Sequence, residues 1–162
     1  MCKRLLFLCF LVILLDSCSF VKRIFHRSNS SNYSSAEIKD IIKEAKKYKG
    51  VPYRTGGMDS KGMDCSGLLF KAYQSSDFDI PRVSGEQAKF GNEIKLNEVQ
   101  LGDWVFFATG KVGLINHVGL ITKDKPSISF IHASTSYGVR EDLLYQKFWL
   151  DRIVKIIRPF KN

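Results

Sequence analysis

The sequence predicts a mixed fold in which two helices precede a set of β-strands. Two apolar stripes with helical spacing lie in the first half of the chain, one after Ser34 and one after Cys65. Two β-rich runs separated by a turn-like segment, HVGLIT and ISFIH, follow in the second half, and IVKIIRP near the end predicts a final strand. With 162 residues, the chain suits one domain with a real core.

The N-terminus has the pattern of an export signal. A short positively charged region precedes residues 5–15, an unbroken apolar run that is too short to span a bilayer core, which takes about 20 residues. The run ends in Leu15-Asp16-Ser17-Cys18, which resembles the lipobox of bacterial lipoproteins, although Asp16 departs from the usual small residue. We expect residues 1–17 to be a lipoprotein signal peptide and Cys18 to be lipidated. The alternatives are an ordinary secretory signal and an uncleaved anchor.

Residues 18–34 are expected to form the lipidated cysteine and a flexible basic tether, ahead of a catalytic domain at 35–162. Ser19 stands where an aspartate retains some lipoproteins at the inner membrane, so we expect an outer-membrane anchor facing the periplasm. Removing 1–17, which carry two positive residues and one negative, lowers the net charge from +9 to +8. A basic surface suits polyanionic envelope polymers. Aromatic and basic residues do not interleave as they do in nucleic-acid-binding proteins, so we do not expect a nucleic-acid partner. We also expect a monomer.

The first helix is predicted between Ser34 and Gly50. Ser34 and Glu37 have capping-box spacing, and Pro52 ends the pattern. One apolar stripe follows the cap at Ile38, Ile41, Ile42 and Ala45. We assign this helix to the core rather than to chemistry.

Cys65 is the candidate nucleophile. Once the signal and a lipidated Cys18 are set aside, Cys65 is the last cysteine, and an exported domain normally uses cysteines in pairs. Asp64 is a suitable N-cap, so Cys65 would lie in the first turn of a helix, where the macrodipole favours a thiolate. The alternative is a small buried apolar residue, as free cysteines often are.

Two of the three histidines are candidate partners of this thiol. His117 opens HVGLIT and His132 closes ISFIH, and a symmetric hairpin centred between Asp124 and Lys125 would place them opposite each other. Their Cβ atoms would then lie roughly 5 Å apart on one face, with Gly119 leaving space beside the imidazole. His117 would accept the proton of the thiol and His132 would orient His117, as in catalytic triads.

Two other interpretations of these histidines are possible. Cys65, His117 and His132 could bind zinc with one open position, although a closely spaced ligand pair is missing. Both histidines could also be hydrogen-bonded core residues. The matched positions in the hairpin favour the triad, and we predict neither a metal nor another cofactor.

The motifs Y-x-x-G-G, D-C-S-G, L-G-D-W-x-F-F, H-V-G and I-H-A resemble, in this order, the NlpC-type (NlpC and p-sixty) cell-wall cysteine peptidases. They lie at residues 53–57, 64–67, 101–107, 117–119 and 131–133. The resemblance implies a papain-like α+β fold, with helices packed on a central antiparallel sheet and the nucleophile at a helix N-terminus. It matches Cys65 to the nucleophile, His117 to the base and His132 to the orienting residue. Tyr53 matches a tyrosine that helps the Cys65 backbone N–H to hold the oxyanion.

The same resemblance implies substrate-binding residues. Asp64 and Ser66 match positions that receive the amino group of the peptide stem in some relatives, although Asp64 could serve only as a helix cap. Arg82 and Ser84, in the segment PRVSGEQ, match the border of the substrate groove. The run ending at Phe107 and Trp149 are assigned to structure.

The resemblance implies a peptidoglycan hydrolase, a cysteine endopeptidase that cleaves an amide bond in peptide stems or cross-links of the bacterial wall. The bond would be the γ-D-glutamyl-diamino acid bond or the D-alanyl cross-link. Two alternatives remain open at this stage. One is a non-catalytic lipoprotein that binds wall peptides, and the other is an acyltransferase that uses the same cysteine and histidine.

Overall fold

The N-terminal half of the fold is mainly helical. A computed structural model describes residues 33–161, so the predicted signal peptide, Cys18 and all but the last two residues of the predicted tether lie outside it. Helix α1 spans Ser35–Lys47, α2 spans Cys65–Gln74 and the short α3 spans Ser84–Gln87. The two-residue strands β1 (Met58–Asp59) and β2 (Gly62–Met63) pair just before α2.

The C-terminal half supplies a six-stranded sheet in the order β3-β8-β4-β5-β6-β7, with every neighbouring pair antiparallel. Its strands are β3 (Gly91–Ile94), β4 (Trp104–Phe107), β5 (His117–Lys123), β6 (Ser129–Ser134), β7 (Gly138–Leu143) and β8 (Ile153–Pro159). A 3-10 turn lies at Leu96–Glu98, and the short helix α4 spans Lys147–Leu150. No helix in residues 33–161 is long and apolar enough to cross a membrane.

The start of α1 follows the capping prediction. The backbone N–H of Glu37 donates to Oγ of Ser34 at 3.3 Å, and the Glu37 carboxylate accepts from the Ser34 backbone at 2.8 Å. The predicted stripe faces inward, with Ile41, Ile42 and Ala45 buried. Tyr33, in the segment predicted as a tether, packs edge-on against the rings of Tyr73 and Phe78.

Two apolar clusters cover the two faces of the sheet. Alternate residues of a strand point to opposite faces, so β4 sends Trp104 and Phe106 to the cluster that contains α1 and α2. Its other residues, Val105 and Phe107, join a second cluster that contains Trp149 of α4. Strand β4 is buried along its whole length, which confirms the assignment of this run to structure.

The hairpin of β5 and β6 forms, but its register differs from the prediction. Leu120 pairs with Ile131 and Ile121 with Phe130, so paired numbers sum to 251 rather than to 249. The physical reason is that the loop at 124–128 is centred on Pro126, so Lys123 pairs with Ser129 at a sum of 252. The irregularity between Ile121 and Lys123 then lowers the sum to 251. A shift of two residues keeps every side chain on its predicted face. His117 and His132 are therefore diagonal neighbours on one face rather than directly opposed.

Candidate active site

Cys65 lies at the start of α2, as predicted. Asp64 is the N-cap, and its Oδ1 accepts from the backbone N–H of Gly67 at 2.6 Å. The thiol is buried, with 7% of the residue exposed, and its sulfur accepts a hydrogen bond from the backbone N–H of Val118. Because Val118 directly follows His117 in β5, this hydrogen bond places the thiol next to the start of the strand that carries the histidine.

The surroundings of Cys65 do not favour the thiolate that its helix position predicted. Burial raises the pKa of the Cys65 thiol, and the negative charge of Asp64 raises it further. The N–H of Val118 acts in the opposite direction but does not outweigh burial. Desolvation of the charged form therefore acts against the thiolate that the helix terminus favours.

The two histidines are in direct contact. Nε2 of His117 and Nδ1 of His132 are 2.9 Å apart, and the two rings meet nearly at right angles. Both residues are buried, and burial, with the neighbouring His132, lowers the pKa of His117 to about 3. Burial also lowers the pKa of His132. Both rings are consequently neutral near pH 7.

Asp142 extends this pair and was missed in the sequence. Its Oδ2 lies 3.0 Å from Nε2 of His132 and also accepts from the indole N–H of Trp149 at 3.2 Å. Its Oδ1 pairs with the guanidinium of Arg140 at 2.6 Å. The sequence did carry a signal, because Arg140 and Asp142 alternate in GVREDL with the period of a strand.

The order of hydrogen bonds fixes the tautomers of both histidines. An ionised carboxylate only accepts hydrogen bonds, so Nε2 of His132 must carry the proton that faces Asp142. Nδ1 of His132 is then an acceptor, and Nε2 of His117 must donate to it. This leaves Nδ1 of His117 without a proton. It is therefore the nitrogen that can accept one from a thiol.

Trp149 belongs to this site rather than only to the core. Its ring stacks on His117 with a centroid distance of 5.7 Å and meets His132 edge-on at 4.8 Å. Since its indole N–H also bonds Asp142, Trp149 holds three members of the chain and shields them from water. Trp149 is thus part of the core, as predicted, and also contacts the histidine pair.

The prediction that Gly119 leaves space beside the imidazole is wrong, because the ring of Phe130 occupies that space. A Cβ added at Gly119 would collide with the ring of Phe130 and come within 3.2 Å of the Ile131 carbonyl. Gly119 therefore admits the ring of Phe130, which in turn lies 4.9 Å from the ring of His132.

Three of the predicted substrate residues meet beside Cys65. Arg82 donates to both oxygens of Asp64, at 3.0 and 2.8 Å, and to Oγ of Ser66 at 2.9 Å. Burial acts to raise the pKa of Asp64, but Arg82 and the N–H groups of Gly67 and Gly56 hold it below its usual range. The hydrogen bond from the Gly67 N–H confirms Asp64 as the helix cap. Both carboxylate oxygens of Asp64 already accept hydrogen bonds within the protein.

The other predicted site residues are less closely joined. Tyr53 forms an isolated bridge with Met63, next to Asp64, and packs against the first core cluster. Ser84 opens α3. In the part of the chain that the structure describes, no side-chain hydrogen bond joins Ser84 or Tyr53 to the cysteine or the histidines, and none joins Cys65 to His117. Within residues 33–161, no group of three or more His, Cys, Asp and Glu side chains is arranged to hold a metal ion.

Comparison with known families agrees with this arrangement of a buried thiol at a helix start and a histidine pair on an antiparallel sheet. The sequence model of the NlpC/P60 family matches residues 50–158, a range that contains Cys65, both histidines and Asp142. The chain belongs to the NlpC/P60 family. The predicted resemblance and the papain-like α+β fold are confirmed.

Known NlpC/P60 proteins resemble this chain to different extents. It is 36% identical over 138 residues to "Probable endopeptidase NlpC" of Escherichia coli K12, which covers 85% of this chain and 87% of that protein. It is 34% identical over 113 residues to "Murein DD-endopeptidase MepS/Murein LD-carboxypeptidase" of the same organism, covering 69% of this chain and 57% of that protein.

A solved NlpC/P60 structure matches the fold directly. A Staphylococcus aureus protein described as similar to lipoprotein, NLP/P60 family, superposes with a TM-score of 0.71 at 30% identity. The match covers 83% of this chain and 45% of the other protein. The chain therefore spans less than half of that structure, although it spans most of the NlpC relative.

Proposed function

We propose that this protein is a peptidoglycan hydrolase, a cysteine endopeptidase that cleaves an amide bond in the peptide stems or cross-links of the bacterial wall. The observation that carries the proposal is the hydrogen-bonded chain His117–His132–Asp142 next to the Cys65 helix, inside an NlpC/P60 domain. The relatives named endopeptidase NlpC and murein DD-endopeptidase support the peptidase activity and the wall substrate.

Each proposed catalytic residue has one role. As Cys65 attacks the carbonyl carbon, Nδ1 of His117 takes the thiol proton, and the backbone N–H of Cys65 and Tyr53 stabilise the oxyanion. His117 then gives this proton to the leaving amine, the C–N bond breaks and an acyl-thioester remains on Cys65. Water, deprotonated by His117, releases the acyl group as a carboxylic acid and restores the thiol.

His132 and Asp142 are positioning residues in this scheme. They hold the tautomer in which Nδ1 of His117 is free, and the Asp142 charge stabilises the imidazolium that forms during attack. Asp64, Ser66, Arg82 and Ser84 would bind the peptide stem. An amine reaching Asp64 would have to share its carboxylate with Arg82, which already donates to both oxygens.

The test compares the chain without residues 1–18 with its Cys65→Ala variant, each incubated with purified peptidoglycan and with defined stem peptides. Mass spectrometry of the fragments should show cleavage by the native protein alone, and the fragment masses distinguish the γ-D-glutamyl-diamino acid bond from the D-alanyl cross-link. Equal binding without cleavage would instead indicate a wall-peptide-binding protein. Products that carry an added amine or alcohol would indicate an acyltransferase.

The proposal includes a lipid anchor on Cys18 that holds a monomeric enzyme at the outer membrane, facing the periplasm. It rests on the lipobox-like segment and on Ser19. Metabolic labelling with a fatty acid should mark the full chain and fail to mark Cys18→Ala. Recovery of the labelled protein with the inner membrane would contradict the location, and a dimer in size-exclusion chromatography would contradict the monomer.

A further inference from the structure

A cavity of about 350 Å³ lies beside His117, on the face of the sheet that carries the histidine pair. Its walls come from the ends of β6 and β7, the segment between them and α4. The lining is rich in groups that form hydrogen bonds, among them Thr109, Ser134, Thr135, Ser136 and Gln146. A cavity of this size and composition can hold one polar amino-acid residue.

Two charged side chains line the cavity, and they differ in what they can offer a ligand. Both oxygens of Asp142 are occupied, by His132, Trp149 and Arg140, and the residue is only 9% exposed. The side chain of Arg140 is 42% exposed, and one of its nitrogens, Nη2, pairs with Asp142. Asp142 is therefore closed to a ligand, whereas Arg140 is accessible.

Arg140 retains hydrogen-bonding capacity toward the cavity. A guanidinium has five N–H donors, and among the described residues Asp142 is the one ion-pair partner of Arg140. The ring of Tyr137, which also lines the cavity, lies 5.2 Å from the guanidinium carbon. The planar guanidinium matches the geometry of a carboxylate.

The proposed chemistry determines which part of a substrate meets this cavity. His117 must come within hydrogen-bond reach of the leaving amine in order to protonate it. The residue that carries this amine consequently lies next to His117, and His117 is part of the cavity wall. The acyl half of the substrate stays on Cys65, on the side where Asp64 and Arg82 lie.

We propose that the cavity binds the residue on the leaving-amine side of the scissile bond, and that Arg140 binds a free carboxylate on that residue. This inference rests on the proposed hydrolase function and adds a specificity for anionic leaving groups. A cationic group is disfavoured there because the Asp142 oxygens are already shared among three donors.

The experiment uses two stem peptides that differ at one group, a free carboxylate or a carboxamide on the leaving residue. The specificity constant kcat/KM is measured for both peptides with the native enzyme, Arg140→Gln and Arg140→Lys. The control, Lys123→Gln, removes an exposed cation at the opposite end of β5 from His117. We expect the native enzyme and the control to prefer the carboxylate peptide by about 10- to 100-fold, the range for a hydrogen bond to a charged group.

Arg140→Gln should bring the ratio of the two specificity constants close to one, and Arg140→Lys should retain part of the preference. An equal loss on both peptides would mean that Arg140 acts only by holding Asp142, which overturns the proposal. Equal cleavage of both peptides by the native enzyme would also overturn it while leaving the hydrolase function intact. Cleavage of neither peptide, nor of peptidoglycan, would overturn the hydrolase function and this inference with it.

Discussion

Replacing Asp142 with asparagine removes the negative charge at the end of the histidine pair at nearly constant volume. The amide can still present its oxygen to His132 and Trp149, which are buried, and turn its NH2 group toward Arg140. That orientation leaves two donors facing each other, but Arg140 is 42% exposed and can turn to water. The other orientation would bury an unmatched indole N–H. We therefore expect Asp142→Asn to keep the tautomers and lose only the charge.

The size of the effect follows from the geometry. Hydrogen bonds of 3.0 and 2.9 Å, with one imidazole between them, place the carboxylate roughly 8 Å from Nε2 of His117. At that distance a pair of unit charges interacts by about 2 kcal/mol if the effective dielectric constant is about 20. Because His117 is charged only during the reaction, this energy stabilises the transition state and not the bound substrate. Asp142→Asn should lower kcat about 30-fold and leave KM unchanged.

The assay is steady-state hydrolysis of the carboxamide stem peptide, which offers Arg140 no carboxylate, with the unfolding midpoint in urea as a check on the fold. Asp151→Asn is the matched control, because it makes the same substitution at an exposed ion pair with Lys147 and should leave kcat unchanged. A folded Asp142→Asn enzyme with native kcat would refute the role of the Asp142 charge. A rise in KM at constant kcat would show instead that Asp142 acts through substrate binding.

Three further outcomes are expected. Alkylation of Cys65 by iodoacetamide should stay slow at pH 7 and rise only above about 8.5, the ordinary cysteine value, because burial raises the pKa of the thiol; a plateau already at pH 6 would indicate a resting thiolate. Gly119→Ala should lower the free energy of unfolding in urea by about 1–3 kcal/mol through its clash with Phe130, whereas Gly85→Ala, with open space around its Cβ, should not. The pKa of His117 is lowered to about 3 in the folded protein. Below pH 6.5, the ordinary pKa of histidine, the unfolded chain therefore binds more protons at this residue than the folded chain does. Stability should therefore fall as the pH drops below 6.5 toward 3, with a contribution of about 2 kcal/mol between pH 7 and pH 5 that His117→Gln removes; equal losses in both proteins would contradict this assignment.

Local rules predicted the parts of the fold that depend on neighbours in the chain. The capping box at Ser34 and the N-cap at Asp64 each follow from residues three apart, and both form. The final strand forms at Ile153–Pro159. The predicted hairpin register was wrong because the loop is centred on Pro126 and an irregularity follows it between Ile121 and Lys123, and a symmetric count represents neither.

The incomplete part of the predicted site has a similar cause. Asp142 meets His132 only because β7 pairs with β6, where His132 lies opposite Arg140 and Phe130 opposite Asp142. The predicted hairpin ended at His132, so the prediction did not place the Asp142 carboxylate beside the histidines. Trp149 reaches the same point from α4, outside the sheet, and no strand period could have indicated it.

The neutral resting state of the site has a consequence for a cysteine enzyme exposed to oxidants. Thiolates, rather than thiols, are the species that oxidants attack. Burial raises the pKa of Cys65 and lowers that of His117, which favours the protonated thiol and the neutral imidazole. In the proposed mechanism, the charge on Asp142 is in place before the reaction and stabilises the imidazolium only when His117 takes the thiol proton. The same burial that makes the free thiol unreactive therefore strengthens the interaction between Asp142 and His117 during catalysis, since both lie where water does not screen them.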